Sequence, residues 1–191
     1  MKKMNARTIA GIGILTAMVI VLQVISSNIK FGPFSITLAL MPIVVGAAIY
    51  GWKAGAWLGF VFGCITLFDA GAFMAVNAPG TVITCLGKGA LAGLVSGLVY
   101  AAISKKSQMA AIIAAAVACP VVNTGIFVLG CFAFFMGTIS EWAAGQNALI
   151  FIFTALIGVN FFVELGVNLV LSSVIERILN IVSPRKVQSA Q

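Results

Sequence analysis

The sequence contains no histidine and few charged residues of either sign, and both absences narrow what the protein can do. Histidine is the commonest metal ligand and the usual general base near neutral pH. Its absence argues against a metal centre and against histidine-driven catalysis. Charged residues make up 8% and hydrophobic residues 62% of the 191 residues, whereas a soluble domain is about 25% charged. With a mean hydropathy of +1.17, this composition is typical of an integral membrane protein.

The cysteine spacing argues against a metal-binding protein, and the charge distribution argues against a nucleic-acid-binding protein. The spacing of the four cysteines matches neither a CxxC pair nor a zinc pattern, so we interpret them as buried packing residues and expect no metal and no cofactor; they are Cys64, Cys85, Cys119 and Cys131. The net charge of +7 does not come with a basic stripe and interleaved aromatic residues. We therefore expect the cations to face cytoplasmic lipid, with the bilayer as a partner and no nucleic acid.

The charges that are present fall almost entirely in the gaps between apolar stretches. Every second gap is basic, with Lys2, Lys3 and Arg7, then Lys53, then Lys105 and Lys106, then Arg177, Arg185 and Lys186. The gaps between them carry one lysine and two acids, namely Lys30, Asp69 and Glu141. Because short cytoplasmic loops retain Lys and Arg, this alternation predicts that both termini are cytoplasmic.

The apolar stretches predict an all-α integral membrane protein with six transmembrane helices in one membrane domain, residues 1–191. A hydrocarbon core of about 30 Å takes about 20 helical residues. The expected helices run approximately over residues 8–28, 35–51, 53–70, 81–103, 108–137 and 148–176. The N-terminus resembles a signal peptide but lacks a small-x-small cleavage site, so we expect it to remain as the first helix.

Two polar segments, 69–80 and 137–147, lie on the predicted extracellular side and are longer than the other connections. Functional residues often gather on loops that a rigid scaffold positions. The sequence therefore favours a site that is open to the outside. Asn77 and Trp142 are the candidate ligand-binding residues on these segments.

Lys88 and Glu164 lie deep within apolar sequence. Ionisable groups at membrane depth cost about 2.5–3.5 kcal/mol on insertion scales, so each needs a structural or functional reason. Lys88 lies about two turns below the outer end of its helix, and its long stem can reach a central pocket. Lys88 could therefore either contact a ligand or form an ion pair with Glu164, and the sequence does not decide between these two roles. We interpret the deeper Glu164, and Asn168 beside it, as structural buried polar groups.

Two asparagines complete the predicted ligand site. Asn160, Glu164 and Asn168 are spaced four apart, so they share one helix face that must point to the bundle interior or to a cavity. Asn123 follows Pro120. It either lines a pocket floor or caps the carbonyl that the proline frees.

Small residues form regular faces on three helices. Glycines recur every four residues at Gly51, Gly55, Gly59 and Gly63 and at Gly89, Gly93 and Gly97. We interpret these ladders as packing surfaces inside the bundle, with docking of another membrane protein as the alternative. On the first helix, Ala10, Gly13 and Ala17 share one face near its cytoplasmic end. This face serves either packing or the docking of a partner.

The stretch from Thr37 to Gly63, TLALMPIVVGAAIYGWKAGAWLGFVFG, resembles the substrate-binding S components of energy-coupling factor (ECF) vitamin transporters. In that family a Pro-Ile-Val-x-Gly-Ala segment runs through a Gly-x-x-Ala-Gly turn into a glycine-rich helix. The segment KGALAG at 88–93 and the small face of the first helix add to the resemblance. With the six predicted crossings and both ends inside, the resemblance extends over most of the chain.

The resemblance implies a vitamin-binding transport subunit and not an enzyme. S components bind a vitamin in a pocket open to the outside, built from helices four to six and outer loops. They dock through the small face of helix one, here Ala10, Gly13 and Ala17, onto a membrane coupling (T) subunit with two cytoplasmic ATPase subunits. The expected location is the plasma membrane of a prokaryote. This sequence has no Walker motif, so ATP hydrolysis would come from those partners.

The ligand is predicted from charge. A pocket with Lys88, Asn123 and Asn160 suits a carboxylate-bearing polar vitamin better than cationic thiamine. We expect pantothenate first, and riboflavin or a folate next. One alternative is a small membrane enzyme at the level of Lys88 and Glu164, although no acidic pair or nucleophile motif is present. The other is a ligand-free accessory membrane subunit in which the polar groups hold helices together.

Overall fold

A computed structural model describes residues 6–28, 30–31, 34–35 and 37–182. Within them the chain is almost entirely helical, which confirms the all-α prediction. The longer helices are α1 (Ala6–Asn28), α2 (Leu40–Tyr50), α3 (Trp52–Asp69), α5 (Ala78–Ile103), α6 (Gln108–Gly130) and α9 (Gly158–Val182). The shorter ones are α4 (Gly71–Val76), α7 (Met136–Trp142) and α8 (Ala148–Phe151). Two π-helical segments, Cys131–Phe135 and Ile152–Ile157, and a small antiparallel hairpin of β1 (Lys30–Phe31) and β2 (Phe34–Ser35) complete the described elements.

The described helices include three runs that are long and apolar enough to cross a membrane, namely Ala6–Asn28, Ala78–Ile103 and Gln108–Trp142. A fourth candidate span is a pair of helical segments, Ala148–Ile157 and Asn160–Ile178, which are bent by 41° relative to each other. The pair counts as a span only if both segments cross the membrane together. The chain is therefore a membrane protein.

Two of the six predicted spans do not meet this criterion. Helix α2 has 11 residues and extends about 16 Å, about half of a 30 Å hydrocarbon core. Helix α3 has 18 residues and carries Lys53 and Asp69 near its two ends, which lower its mean hydropathy. Six crossings with cytoplasmic termini stay a prediction.

Several helix boundaries differ from those predicted from the apolar pattern. Helix α2 begins at Leu40, not near residue 35, because the preceding segment is held in another conformation where Leu38 N donates to Ser26 Oγ at 3.2 Å. Helix α5 begins at Ala78, three residues before the expected start, since Asn77 caps it. The segments 69–80 and 137–147 were predicted as loops, but they contain α4 and most of α7.

Glycines hold α3 against α5 over most of their length. A Cβ on Gly55 or Gly59 would overlap the backbone carbonyl of Gly93 or Gly89, and a Cβ on Gly63 would lie 2.6 Å from the Cys85 oxygen. Only hydrogen fits at these positions, so the two backbones approach as closely as helices can. This confirms the packing role of the ladders except at Gly51, which lies between α2 and α3 with a φ of +89° and where a Cβ would meet nothing within 4 Å.

Candidate functional site

A cavity of about 230 Å³ lies at one end of the bundle, where α1 and α3 end and where α5 and α9 begin. Its wall is formed by residues of α1, α3, α4, α5, α6 and α9, of both π-helical segments, and by Thr37 and Ala70. The lining residues are Gln23, Thr37, Phe62, Thr66, Asp69, Ala70, Phe73, Thr81, Thr84, Cys85, Lys88, Asn123, Thr124, Phe127, Phe135, Leu156, Ile157, Asn160, Phe161 and Glu164. By the charge pattern this is the end predicted to face the outside. The wall combines aromatic faces with polar side chains, as small-molecule sites do.

Lys88 extends into the cavity from α5 between two aromatic rings. Its Nζ lies 5.9 Å from the Phe62 ring centroid and 5.5 Å from that of Phe127, distances at which a ring face attracts a cation. Glu164 lines the same cavity. The contacts of Lys88 therefore place its charge among ring faces, where a ligand anion can approach it.

Buried oxygens without a hydrogen-bond partner cluster at this cavity. Among the described residues, five side chains carry such an atom: Gln23 Oε1, Thr84 Oγ1, Asn123 Oδ1, Asn160 Oδ1 and Asn168 Oδ1. All but the oxygen of Asn168 belong to residues that line the cavity. Leaving a buried polar group unsatisfied costs about 1–3 kcal/mol. Three amide oxygens that can only accept, and one hydroxyl that can accept or donate, therefore favour an occupant that donates hydrogen bonds.

Two carboxylates line the cavity, and they differ in their surroundings. Asp69, at the end of α3, accepts from the Ser27 hydroxyl and from Gln23 Nε2, the latter at 3.4 Å. Glu164, on α9, is buried. Within the described part of the chain, no group of three or more Cys, Asp or Glu side chains is arranged to hold a metal ion.

A cluster of aromatic side chains forms part of the cavity wall. Phe73 of α4 makes edge-to-face contacts with Phe127 at 6.0 Å, Phe135 at 5.0 Å and Trp142 at 5.3 Å between centroids. Edge-to-face aromatic pairs contribute about 0.5–1.5 kcal/mol each beyond the area they bury. The short helices α4 and α7 are thereby held together over the cavity.

The structure brings together three of the residues predicted to bind a ligand. Lys88, Asn123 and Asn160 line the same cavity although they come from α5, α6 and α9. Glu164, predicted as structural, also lines it, while Asn168 lies one turn further along α9 and donates to the Glu164 backbone oxygen at 2.8 Å. If Asn123 caps the carbonyl freed by Pro120, it does so with Nδ2. The buried Oδ1 of Asn123 has no partner among the described residues and is available to a ligand.

The other two predicted ligand residues lie outside the cavity wall. Asn77 Oδ1 accepts a hydrogen bond from Gly80 N at 2.9 Å and so caps α5, with proline in the first turn. Trp142 packs against Phe73, which itself lines the cavity. Ligand contact by Asn77 or Trp142 stays a prediction.

Several wall residues were not singled out in the sequence. Gln23 is the one glutamine of the first apolar stretch, and Asp69 was interpreted only as a loop charge. The hydroxyls of Thr66 and Thr81 donate to backbone carbonyls of the preceding turn at 2.9 Å and 2.8 Å. Threonine makes this bond in many helices, so its presence in an apolar helix does not indicate a binding site. A polar face at Thr81, Thr84 and Lys88, spaced three and four residues apart, was the available signal on α5.

The small-residue face of α1 lies apart from the cavity. Ala10, Gly13 and Ala17 are all exposed on the surface of the described bundle, and a Cβ on Gly13 would meet nothing within 4 Å. Packing among the described residues therefore does not cover this face. A surface of small side chains lets another membrane helix approach closely.

Comparison with known proteins agrees with these features. The profile of the family described as "ECF transporter, substrate-specific component" matches residues 7–176. The chain is also 37% identical over 73 residues to the pantothenic acid transporter PanT of Lactococcus lactis subsp. cremoris (strain MG1363). That second match spans 37% of this chain and 37% of PanT.

Proposed function

The chain belongs to the family of substrate-specific components of ECF transporters, and from this premise we propose that it captures pantothenate from outside the cell. Riboflavin and folates are the next candidates. Members of this family are substrate-binding subunits of transporters and not enzymes. The proposal includes transfer of the vitamin across the plasma membrane of a prokaryote, driven by partner subunits.

The observation that carries the proposal is one cavity that holds both an ammonium group and several unpartnered acceptor oxygens. Lys88 supplies the charge, and Thr84, Asn123 and Asn160 supply acceptors. Pantothenate has a carboxylate at one end, two hydroxyls at the other and an amide between them. Its carboxylate matches Lys88, and its hydroxyl and amide protons match the acceptors.

Size and charge favour pantothenate over the other vitamins. A volume of about 230 Å³ lies just below the roughly 300–1,000 Å³ usual for drug-sized ligands. Pantothenate is smaller than riboflavin or a folate and lacks their planar ring systems. The partial similarity to PanT supports the same ligand. Thiamine, a cation, would bring its charge toward Lys88.

The transport step requires partners, because an S component supplies the binding site. We propose that Ala10, Gly13 and Ala17 form the surface on which a membrane coupling (T) subunit docks, with two cytoplasmic ATPase subunits attached to it. The exposure of all three residues supports this role. ATP hydrolysis would then occur on the partner ATPases.

Mass spectrometry of the small molecules that copurify with the protein tests this function without assuming the ligand. The protein is purified in mild detergent from cells grown in rich medium and is then denatured to release any bound molecule. We expect pantothenate in near-stoichiometric amount. A preparation of Lys88→Met supplies the control, because it should carry much less. Recovery of thiamine as the bound vitamin would contradict the charge argument.

The same experiment separates the two alternatives. A ligand-free accessory subunit would release no vitamin from either preparation. A membrane enzyme would convert an added vitamin to a new species during incubation, whereas a binding subunit returns it unchanged.

A further inference from the structure

We propose that Gln23 of α1 accepts a hydrogen bond from a neutral donor group of the ligand, and that Asp69 and Ser27 are positioning residues that orient its amide. The inference rests on the proposed function, since it assigns the chemistry of one end of the same cavity. It also fixes the direction in which the ligand lies, with its carboxylate at Lys88 and one of its hydroxyls at Gln23.

The first step is the position of Gln23. The side chain lines the cavity and is 5% exposed. Its Oε1 is buried and has no hydrogen-bond partner among the described residues. An amide oxygen is an acceptor only. A partner for this atom must therefore be a donor, such as a hydroxyl or an N–H group.

The second step is the orientation of the amide. Gln23 Nε2 lies 3.4 Å from Asp69 Oδ2 and 3.4 Å from Ser27 Oγ. An ionised carboxylate has no proton to donate, so the reverse orientation would bring Oε1 against another oxygen acceptor. The Asp69 carboxylate thus holds the NH2 group on its own side and leaves Oε1 free for the ligand.

Ser27 strengthens this arrangement. Its hydroxyl is within hydrogen-bond reach of the same Asp69 oxygen and of the Gln23 backbone oxygen, the latter at 2.9 Å. Whichever of the two accepts its single proton, the hydroxyl still has lone pairs for Gln23 Nε2. Both neighbours of the amide nitrogen then act as acceptors. Hydrogen-bonded side chains of this kind fix the groups that contact a ligand in the geometry that binding requires.

The third step is the charge at this end of the cavity. Asp69 lies beside Gln23, so an anionic ligand group placed here would be repelled by the carboxylate. Among the described residues of the wall, the cation is Lys88, on α5, between Phe62 and Phe127. The ligand anion therefore faces Lys88, and an uncharged donor faces Gln23. A phosphate ester on a pantothenate hydroxyl would put negative charge at the Asp69 end, so we expect the cavity to reject it.

The test measures how variants of the protein bind ligands that lack single hydroxyls. Isothermal titration in detergent is carried out with pantothenate and with two deoxy analogues, each lacking one of the two hydroxyls. Gln23→Leu should weaken pantothenate binding about tenfold, because a buried ligand hydroxyl loses its acceptor. One of the two analogues lacks the hydroxyl that Gln23 binds. For that analogue, Gln23→Leu should cause no further loss of affinity relative to the wild-type protein. Gln23→Met, of similar length, is the second variant in case Gln23→Leu is unstable.

The positioning role of Asp69 has its own readout. Asp69→Ala should weaken pantothenate binding about threefold and should reduce the preference for pantothenate over the deoxy analogue. Asp69→Asn should restore that preference, since an asparagine oxygen can accept from Gln23 Nε2. A role of Asp69 in helix stability alone would leave the preference unchanged. Thr16→Val is the matched control on α1, because Thr16 bonds to the Ile12 oxygen of its own helix at 2.8 Å.

The outcomes separate this inference from the proposed function. If the wild-type protein binds pantothenate but Gln23→Leu and Gln23→Met bind it equally well, or lose the same factor for both analogues, the inference is wrong and the function stands. Tight binding of the phosphorylated vitamin by the wild type would also overturn the inference. If the wild type binds no pantothenate, the proposed ligand and the inference fail together.

Discussion

Gly59 of α3 and Gly89 of α5 lie backbone to backbone, so that a methyl group on either would overlap the carbonyl oxygen of the other. This contact sets the distance between the two helices that carry Phe62 and Lys88. Because the ammonium of Lys88 lies 5.9 Å from the Phe62 ring, the glycine packing also determines the geometry of the cavity.

Substitution of Gly59 by alanine should therefore destabilise the protein. Forcing a methyl group into a well-packed contact costs about 1–3 kcal/mol, and here the opposing atoms are backbone that cannot rotate away. We expect a lower melting temperature in detergent and weaker ligand binding. Gly125→Ala on α6 is the control, since a Cβ there meets nothing within 4 Å. Equal melting temperatures for the two variants would contradict this explanation.

Removal of the charge at Lys88 should weaken binding of an anionic vitamin. A charge-assisted hydrogen bond to a carboxylate contributes about 1.5–3 kcal/mol, so Lys88→Met should raise the Kd of pantothenate by about 10- to 100-fold. Lys53→Met provides the comparison, because Lys53 also lies over an aromatic ring, that of Trp52 at 5.4 Å, but is not part of the cavity wall. Titration calorimetry measures both. Unchanged affinity in Lys88→Met would favour a structural role for this lysine.

Alanine at Asn123 or Asn160 should weaken ligand binding with little loss of folded protein. The Oδ1 atoms of both residues are buried without a partner in the described chain, so their removal relieves an unsatisfied group. Asn168→Ala should behave in the opposite way, because Asn168 Nδ2 donates to the Glu164 backbone at 2.8 Å and the residue does not line the cavity. Thermal stability and affinity, measured in parallel, distinguish these patterns. Instability of both cavity variants would indicate that the asparagines are structural.

The sequence predicted those parts of the site that depend on one helix at a time. An asparagine or lysine within an apolar helix must face the protein interior, and this identified Lys88, Asn123 and Asn160 from their positions alone. Gln23 and Asp69 were not predicted as site residues, because their contact across 46 positions of sequence depends on how α1 and α3 pack. The helical content of the segments predicted to lie outside was missed for a similar reason. Gly71–Val76 and Met136–Trp142 are helical, and Phe73 packs against Trp142, Phe127 and Phe135 there.

The orientation predicted from the charges can be tested by labelling. Gln146→Cys and Lys106→Cys place thiols at exposed positions on opposite ends of the bundle, while Cys85, Cys119 and Cys131 are buried. A membrane-impermeant maleimide applied to intact cells should modify Gln146→Cys and spare Lys106→Cys. Replacing Cys64, which is partly exposed, with Ser removes its background. The reverse labelling pattern would overturn the predicted topology.

A bulky residue on the small face of α1 should abolish uptake and leave ligand affinity intact. Ala10→Leu, Gly13→Leu and Ala17→Leu each add a side chain where a partner helix must approach closely, and all three positions are exposed. Ala102→Leu, at an exposed site on α5, is the control. Uptake of labelled pantothenate by cells and binding by the purified protein are compared for each variant. Normal uptake in all three variants would exclude this face as the docking surface.

The most direct test of the central claim is the affinity of the purified wild-type protein for a panel of pantothenate, riboflavin, folate and thiamine. The cavity presents Lys88 together with unpartnered acceptor oxygens. We therefore predict that titration calorimetry gives the lowest Kd for pantothenate and a Kd at least tenfold higher for thiamine. Tighter binding of riboflavin, folate or thiamine than of pantothenate, or binding of none of the four, would contradict it.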